Sequence, residues 1–171
     1  PASVLIIIPE YERLKYTVEY LDALGELIKS EIVFYGEDST SPSSIGDGYI
    51  LEGWSESYEE VTRNLTLRPI YSLETYTVTF EDYDGTILLS EIIPFGSDAE
   101  PPTDPSREGH RFNGWQEDYT NITSDKTIKA NYEVLSFKVT LRNYDGSIHD
   151  IQEIEYGANL NRFPGPSREN Y

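Results

Sequence analysis

One motif occurs three times along this chain, at intervals of about 60 residues. Each copy opens with an alternating pattern typical of a strand, and the first residues of the three patterns are Tyr16, Tyr76 and Phe137. A period of this length predicts a string of small units rather than one large domain. Because a unit of about 60 residues is near the lower size limit for independent folding, contacts between neighbouring copies are expected to contribute to stability.

The spacing of the motif also predicts domain boundaries. Tyr11 stands five residues before Tyr16, as Tyr71 stands five residues before Tyr76, so residues 1–14 align with the end of a copy. We therefore predict the closing strand of a preceding repeat at 1–14, a first repeat at 15–74, a second at 75–135 and the N-terminal half of a truncated third at 136–171.

The second copy has the clearest local pattern. Its first strand alternates apolar and polar residues from Tyr76 to Phe80, which predicts one buried and one solvated face. Asp84-Gly85 follows, a pair that supplies the positive φ angles of a tight hairpin turn. The second strand is predicted from Ile87 to Phe95, and its more continuous apolar character indicates burial on both sides for part of its length. Gly96 is predicted to end this strand.

The rest of the second copy predicts a crossing segment and two more strands. Ser97 to Gly109 contains three prolines, which resist a long helix, so we expect at most a short helix around residues 104–108. A third strand is predicted through Phe112 and Trp115, and a fourth, closing strand over 127–132. The predicted order is therefore strand, strand, short crossing, strand, strand.

These motifs together resemble the internalin-type B repeat, also called the Listeria-Bacteroides repeat. The most specific stretch is Pro-Ser-Arg-Glu-Gly, ending at Gly109, followed by Phe112-Asn-Gly-Trp115. The resemblance covers the second copy fully, the first copy with weaker motifs, and the visible part of the third. It implies small β-grasp, ubiquitin-like repeats in tandem, hence a mainly β or α+β fold, and display on bacterial surface proteins. The family is defined by its framework, so the resemblance implies no catalytic residues.

Composition excludes several classes of function. The formal net charge is −18, from 31 acidic and 13 basic residues, so nucleic acid and anionic membrane surfaces are repelled. The chain has no cysteine, which excludes disulfides and thiolate metal sites within it. No apolar stretch approaches the roughly 20 residues that span a bilayer, so membrane insertion is not expected.

The titratable residues do not form a recognisable catalytic or metal site. A calcium loop counted from Asp82 would need a bidentate glutamate where Ile93 stands, so the acidic stretch is better interpreted as a hairpin turn. His110 and His149 fall at non-equivalent positions and lack partners at metal-ligand or triad spacing. We therefore predict no catalytic, cofactor or metal site and no enzymatic activity.

Aromatic residues at matched positions are the remaining candidates. Trp54 and Trp115 follow Gly53 and Gly114, and they either anchor each core, with glycine allowing close backbone approach, or stack on sugars. Gly85 and Gly96 complete the residues assigned a structural role. Tyr58 and Tyr119, four residues after each tryptophan, are the candidate ligand contacts, and simple packing is the alternative.

The repeats, the acidity and the lack of a site favour a stalk or adhesive segment of a bacterial surface or secreted protein. Its partners would be neighbouring repeats of the same chain, with no nucleic acid, no membrane insertion and no cofactor. Two alternatives stay open. The repeats can recognise a host protein or a glycan with avidity gained through repetition, or they can serve as spacers and receptor contacts in a phage tail or virion fibre.

Overall fold

The protein is described from a computed structural model that covers residues 10–159 of the 171-residue chain. Within that range the regular structure consists of strands, with no helix. The mainly β class predicted from the sequence is therefore confirmed. The described residues divide into two compact units, 10–75 with 94–96, and 76–93 with 97–159. The predicted closing strand at 1–14 and the end of the third copy lie largely outside the described residues.

Unit 1 contains two small sheets. Its strands are β1 (Lys15–Leu21), β2 (Leu27–Phe34), β3 (Tyr49–Trp54), β4 (Leu65–Leu67) and β5 (Pro69–Leu73). The first sheet has the order β2-β1-β4, with β1 antiparallel to β2 and parallel to β4. The second pairs β3 with β5 in antiparallel fashion. Pro69, which has no amide hydrogen to donate, stands at the point where β5 begins.

Unit 2 repeats this arrangement with fewer interruptions. Its strands are β6 (Thr75–Glu81), β7 (Ile87–Pro94), β8 (His110–Trp115) and β9 (Lys126–Val134), followed by the hairpin of β10 (Ser136–Arg142) and β11 (Ile148–Glu155). The sheet order is β7-β6-β9-β8, with β6 parallel to β9 and β8 antiparallel to β9. One long strand, β9, therefore takes the places of both β4 and β5. The predicted order of four strands around a crossing is confirmed.

The two cores use equivalent positions. Six buried side chains of unit 1 have a counterpart at the same place in the second copy: Val18 and Val78, Tyr20 and Phe80, Val33 and Ile93, Trp54 and Trp115, Val61 and Ile122, Leu67 and Ile128. Trp115 is the one member that is only partly buried. Each buried aliphatic side chain contributes about 1.5–3 kcal/mol of transfer free energy. Packing along the inward faces of these strands therefore holds each unit together.

The hairpin turn between β6 and β7 differs from the predicted tight turn. Gly85 is the one residue of 82–86 with a positive φ, of 86°. The amide of Asp82 donates to the carbonyl of Thr86 at 2.8 Å, and the amide of Gly85 donates to the carbonyl of Asp82 at 3.1 Å. A turn with positive φ at both Asp84 and Gly85 was the wrong expectation, because these bonds close a longer loop that requires the left-handed conformation at the glycine alone.

The second strand of the hairpin is buried on one side only toward its end. Ile93 is 7% exposed while its neighbour Ile92 is 72% exposed. Leu88 and Leu89, which lie on opposite faces of the strand, are both half-buried, so the predicted two-sided burial holds for these two residues and not for the end of the strand. At the end of β7 one face therefore covers the core and the other faces solvent.

The crossing segment before β8 is an extended coil. Its backbone is held by the loop after β8, because Ala99 donates to the Tyr119 carbonyl at 2.9 Å and Ile122 donates to the Ser97 carbonyl at 2.8 Å. The three prolines remove amide donors that a helix would need.

In the part of the chain that the structure describes, no helix is long and apolar enough to cross a membrane.

Candidate functional site

The two candidate ligand-contacting tyrosines lie at the rims of the two cores. The ring of Tyr58 is 6.1 Å from the ring of Tyr20, at an interplanar angle of 65°. The ring of Tyr119 is 5.9 Å from that of Phe80, at 62°. Both side chains are partly buried against their core. Each therefore has a packing role, and a ligand contact by the exposed part of either ring stays a prediction.

The two tryptophans pack edge-on against the aromatic residue of the first strand. The Trp54 and Tyr20 rings lie 4.8 Å apart at 75°, and the Trp115 and Phe80 rings lie 4.8 Å apart at 69°. Trp54 is 9% exposed, and its Nε1 donates to the hydroxyl of Ser41 at 2.7 Å. Little of the Trp54 ring is left for stacking on an external sugar.

The glycines before the tryptophans are not sites of close backbone approach. A Cβ atom built at Gly53 or Gly114 meets nothing within 4 Å. The predicted reason for these glycines is therefore wrong. At Gly114 the backbone has a φ of 87°, which disfavours other residues, and the pairing of β8 with β9 is irregular there. Gly96 likewise has a positive φ, of 74°, just after β7 ends.

A polar network that no sequence motif indicates lies in unit 1. The Glu31 carboxylate accepts hydrogen bonds from the Ser39 hydroxyl and from the Thr40 amide, the latter at 2.7 Å. Lys29 Nζ lies 2.9 Å from Glu31 Oε2. Partial burial acts to raise the pKa of Glu31, but the accepted hydrogen bonds, led by that from Ser39, outweigh it and lower the pKa to about 2. The charged carboxylate therefore stabilises the contact between β2 and the segment that follows it.

The network extends into the core. The Tyr20 hydroxyl donates to Ser39 Oγ at 2.7 Å, and burial raises the pKa of Tyr20. Ser39 is 4% exposed, so its hydroxyl is not accessible to a substrate. In the second copy, Phe80 and Ala99 occupy the equivalent positions. A hydroxyl pair in one copy is thus replaced by an apolar pair in the other, which identifies the network as a feature of packing.

An aromatic and cationic cluster lies in unit 2. The guanidinium carbon of Arg107 is 4.1 Å from the centroid of the Tyr83 ring and 5.8 Å from that of Tyr132. The Tyr132 hydroxyl donates to Asp82 Oδ1 at 2.7 Å, and burial together with this carboxylate raises the pKa of Tyr132 to about 12. The cluster joins the crossing segment to the hairpin turn through a cation–π contact. The only sequence signals for it are the arginine of the signature stretch and the tyrosine in the turn.

The histidines do not form a metal site within the described residues. His110 Nδ1 lies 2.8 Å from the carbonyl oxygen of Glu108, and its ring packs at 6.4 Å from Tyr132. His149 lies on β11 and is exposed. Between residues 10 and 159, no group of three or more histidine, aspartate or glutamate side chains is arranged to hold a metal ion.

Comparison with known families identifies the second copy. Residues 76–136 match the family model of the Listeria-Bacteroides repeat domain. The resemblance predicted from the sequence is therefore confirmed for this copy.

Relatives with similar sequences are much longer proteins. A protein of Evansella cellulosilytica, provisionally named as a Gly-rich membrane protein, is 23% identical over 183 residues, covering 95% of this chain and 21% of the relative. A second protein of that organism, provisionally named as a membrane protein, is 29% identical over 117 residues, covering 63% of this chain and 18% of the relative. Internalin H of Listeria monocytogenes is 28% identical over 98 residues, covering 51% and 17%. The chain thus spans about a fifth of the length of the curated relatives it matches.

Two solved structures of bacterial repeats align with most of the chain. Streptococcal High Identity Repeats in Tandem domains 3-4, from a cell surface protein, are 18% identical with a TM-score of 0.26, covering 71% of this chain and 98% of that one. The type 2 repeat of the mucus binding protein MUB from Lactobacillus reuteri is 12% identical with a TM-score of 0.26, covering 70% and 98%. TM-scores this low do not establish a shared fold.

Proposed function

We propose that this chain is a non-catalytic tandem-repeat segment of a larger bacterial surface or secreted protein, in which it spaces and presents a binding region. The observation that carries the proposal is the repetition of one framework. The first and second copies share their strand order and the positions of their core side chains. A sequence kept to one framework while its polar features vary is typical of repeat arrays, which act through geometry.

The differences between the copies support the same reading. The Glu31 network belongs to the first copy and the Arg107 cluster to the second, and both join elements within a copy. The Ser39 hydroxyl is buried, and the Tyr132 hydroxyl is hydrogen-bonded to Asp82. The net charge of −18 favours solubility of an exposed array through self-repulsion. A location at the bacterial surface is part of this proposal. The match of the second copy to the Listeria-Bacteroides repeat family supports it.

Replacing one copy in the parent protein tests the spacer role. Deleting residues 75–135 is expected to reduce antibody access to the region that the array presents at the cell surface. Reinserting the copy with Ile87→Thr and Ile92→Thr, which change exposed side chains of the edge strand, is expected to restore access. If the altered copy fails to restore access although it folds, a specific surface rather than a length is required and the spacer role is wrong.

Specific recognition of a host protein or a glycan is the second candidate function. It is favoured by the matched positions of Tyr58 and Tyr119, whose rings are only partly buried. Glycan arrays and pull-down assays on the full chain should then give a saturable ligand. Tyr58→Ala and Tyr119→Ala should weaken binding more than the corresponding phenylalanine substitutions weaken it. The absence of any saturable ligand would exclude this candidate and leave the spacer role intact.

A further inference from the structure

In unit 2, an aromatic ring from the hairpin of the next copy packs over a glycine. A Cβ atom built on Gly109 would lie 1.9 Å from Cδ1 of Tyr156, and the φ of Gly109 is 71°. No other residue fits without displacing this ring. The Tyr156 hydroxyl also donates to the carboxylate of Glu108. The ring is therefore held over the backbone at the end of the signature stretch.

A backbone bridge accompanies this ring contact. Leu135, the single residue between β9 and β10, donates its amide to the carbonyl of Gly109 at 2.8 Å. The carbonyl of Leu135 accepts from the amide of Tyr156 at 2.7 Å. The connecting residue thus joins the glycine and the aromatic residue by two hydrogen bonds. All three residues belong to unit 2.

Unit 1 contains the same arrangement. Glu74 donates to the carbonyl of Gly48 at 2.9 Å, and its own carbonyl accepts from the amide of Phe95 at 2.8 Å. A Cβ atom on Gly48, whose φ is 81°, would lie 2.1 Å from the Phe95 ring. Because phenylalanine has no hydroxyl, the part common to both cases is the ring over the glycine together with the backbone bridge.

The first copy has its own equivalent of this aromatic residue, and it is more exposed to solvent. Tyr35 stands at the position of Phe95 and Tyr156, and its amide donates to the carbonyl of Leu14 at 2.8 Å, as in the other two bridges. Tyr35 is 56% exposed, compared with 43% for Tyr156. Arg13, Leu14 and Tyr35 line a shallow, largely apolar hollow. Tyr35 therefore has the same backbone bridge as the other two aromatic residues. Among the described residues, however, no glycine lies under its ring.

We propose that Tyr35 and Leu14 form a docking surface for another copy of this repeat, which would present the positive-φ glycine that precedes its third strand. The occupant is identified by the two filled examples, in which the same bridge and the same ring position meet Gly48 and Gly109. Tyr35 carries a hydroxyl, as Tyr156 does. Its best partner is therefore a glycine preceded by an acidic residue, as in Glu108-Gly109 and Asp47-Gly48.

A distance measurement on the full chain tests the filled example. Because the chain has no cysteine, spin labels at Glu117→Cys and Lys138→Cys, two exposed sites within unit 2, can be introduced without other changes. Pulsed electron paramagnetic resonance is expected to give one narrow distance distribution, which Tyr156→Ala broadens and Tyr156→Phe retains. Tyr35→Ala is the matched control and should leave it unchanged. A narrow distribution in the Tyr156→Ala chain would overturn the coupling role of the ring.

Duplicating the first copy tests Tyr35 itself. Inserting a second set of residues 15–74 after Glu74 places the Tyr35 of the inserted set after the Gly48 of the first set. That Gly48 is then available to the ring of the inserted Tyr35. With labels at Glu52→Cys in the first set and Ser30→Cys in the inserted set, a narrow distance distribution is expected. Tyr35→Ala in the inserted set should broaden it, and Tyr35→Phe should not.

Two results would overturn the docking surface. One is a distribution that is equally narrow with Tyr35→Ala while circular dichroism shows the same strand content. The other is a distribution that is broad in the parent duplication. The docking concerns how copies are joined and does not depend on the spacer role, so either proposal can fail alone.

Discussion

Neutralising Glu31 should weaken unit 1 in a way that depends on pH. Glu31→Gln keeps the shape of the side chain but removes the charge that faces Ser39, the Thr40 amide and Lys29. Hydrogen bonds to a charged acceptor are roughly twice as strong as neutral ones. The amide of the glutamine also brings a donor where the structure places donors, so at least one contact becomes unfavourable.

The size of the effect follows from the pKa of Glu31. A pKa lowered from 4.5 to about 2 corresponds to roughly 3.4 kcal/mol at about 1.36 kcal/mol per pKa unit. The side chains of Glu31 and Lys29 are 26% and 29% exposed, so solvent screening reduces this value. We expect Glu31→Gln to lower the free energy of unfolding of unit 1 by about 2 kcal/mol at neutral pH.

The pH dependence has a definite sign. Since the pKa in the folded state lies below that in the unfolded state, the stabilisation is fully present above pH 4.5 and is lost as the pH falls toward 2. The difference between the parent chain and Glu31→Gln should therefore be largest at neutral pH. It should shrink steadily below pH 4.5, because the parent's carboxylate is then protonated in the unfolded chain and finally in the folded one.

Urea denaturation followed by tryptophan fluorescence measures this difference. In a Trp115→Phe background the remaining indole, Trp54, lies in the core of unit 1 and reports on that unit. Glu91→Gln is the matched control and is followed by Trp115 in a Trp54→Phe background, because Glu91 occupies the equivalent position in the second copy, in unit 2, and accepts a hydrogen bond from the Glu100 amide at 3.1 Å. A loss that is the same at pH 7 and pH 2.5, or no larger than that of Glu91→Gln, would refute the reasoning.

Three further predictions can be checked by urea denaturation. Ser39→Ala removes the acceptor of the buried Tyr20 hydroxyl and should cost about 1–3 kcal/mol; adding Tyr20→Phe should recover part of this loss, and no recovery would argue against an unpaired hydroxyl. Gly114→Ala should cost about 1–2 kcal/mol because its φ is 87°, whereas Gly53→Ala, outside the left-handed region, should be neutral or stabilising; equal losses would contradict this. Ile122→Ala, fully buried, should cost unit 2 about 2–5 kcal/mol, and a loss below that range would show that the site collapses around the smaller side chain.

The strand framework was predictable because its signals are local. Alternation from Tyr76 to Phe80 and the glycine nine residues after Tyr76 are properties of short stretches, and the repeat supplies each of them more than once. The turn type was harder to predict, since Asp84-Gly85 is compatible with both a two-residue turn and the longer loop found here. Two-sided burial of β7 was predicted for part of its length and holds only at Leu88 and Leu89, because a run of apolar residues does not show which face of a strand the core covers.

The polar network and the aromatic contacts could not be predicted in the same way. Glu31 and Ser39 are eight residues apart in sequence, and Tyr20 and Ser39 are nineteen apart, so their pairing depends on how the crossing segment lies over the hairpin. Gly109 and Tyr156 belong to different copies. The signature stretch is recognisable in the sequence as a motif, but the contact that its glycine makes depends on the hairpin of the next copy.

Small-angle X-ray scattering of a length series tests the spacer role most directly. The series consists of this chain and of chains in which residues 75–135 are duplicated in place once and twice. If the copies act as a spacer, the maximum dimension should increase by the same increment with each added copy. A maximum dimension that grows only as that of a compact globule of the same mass would contradict the spacer role.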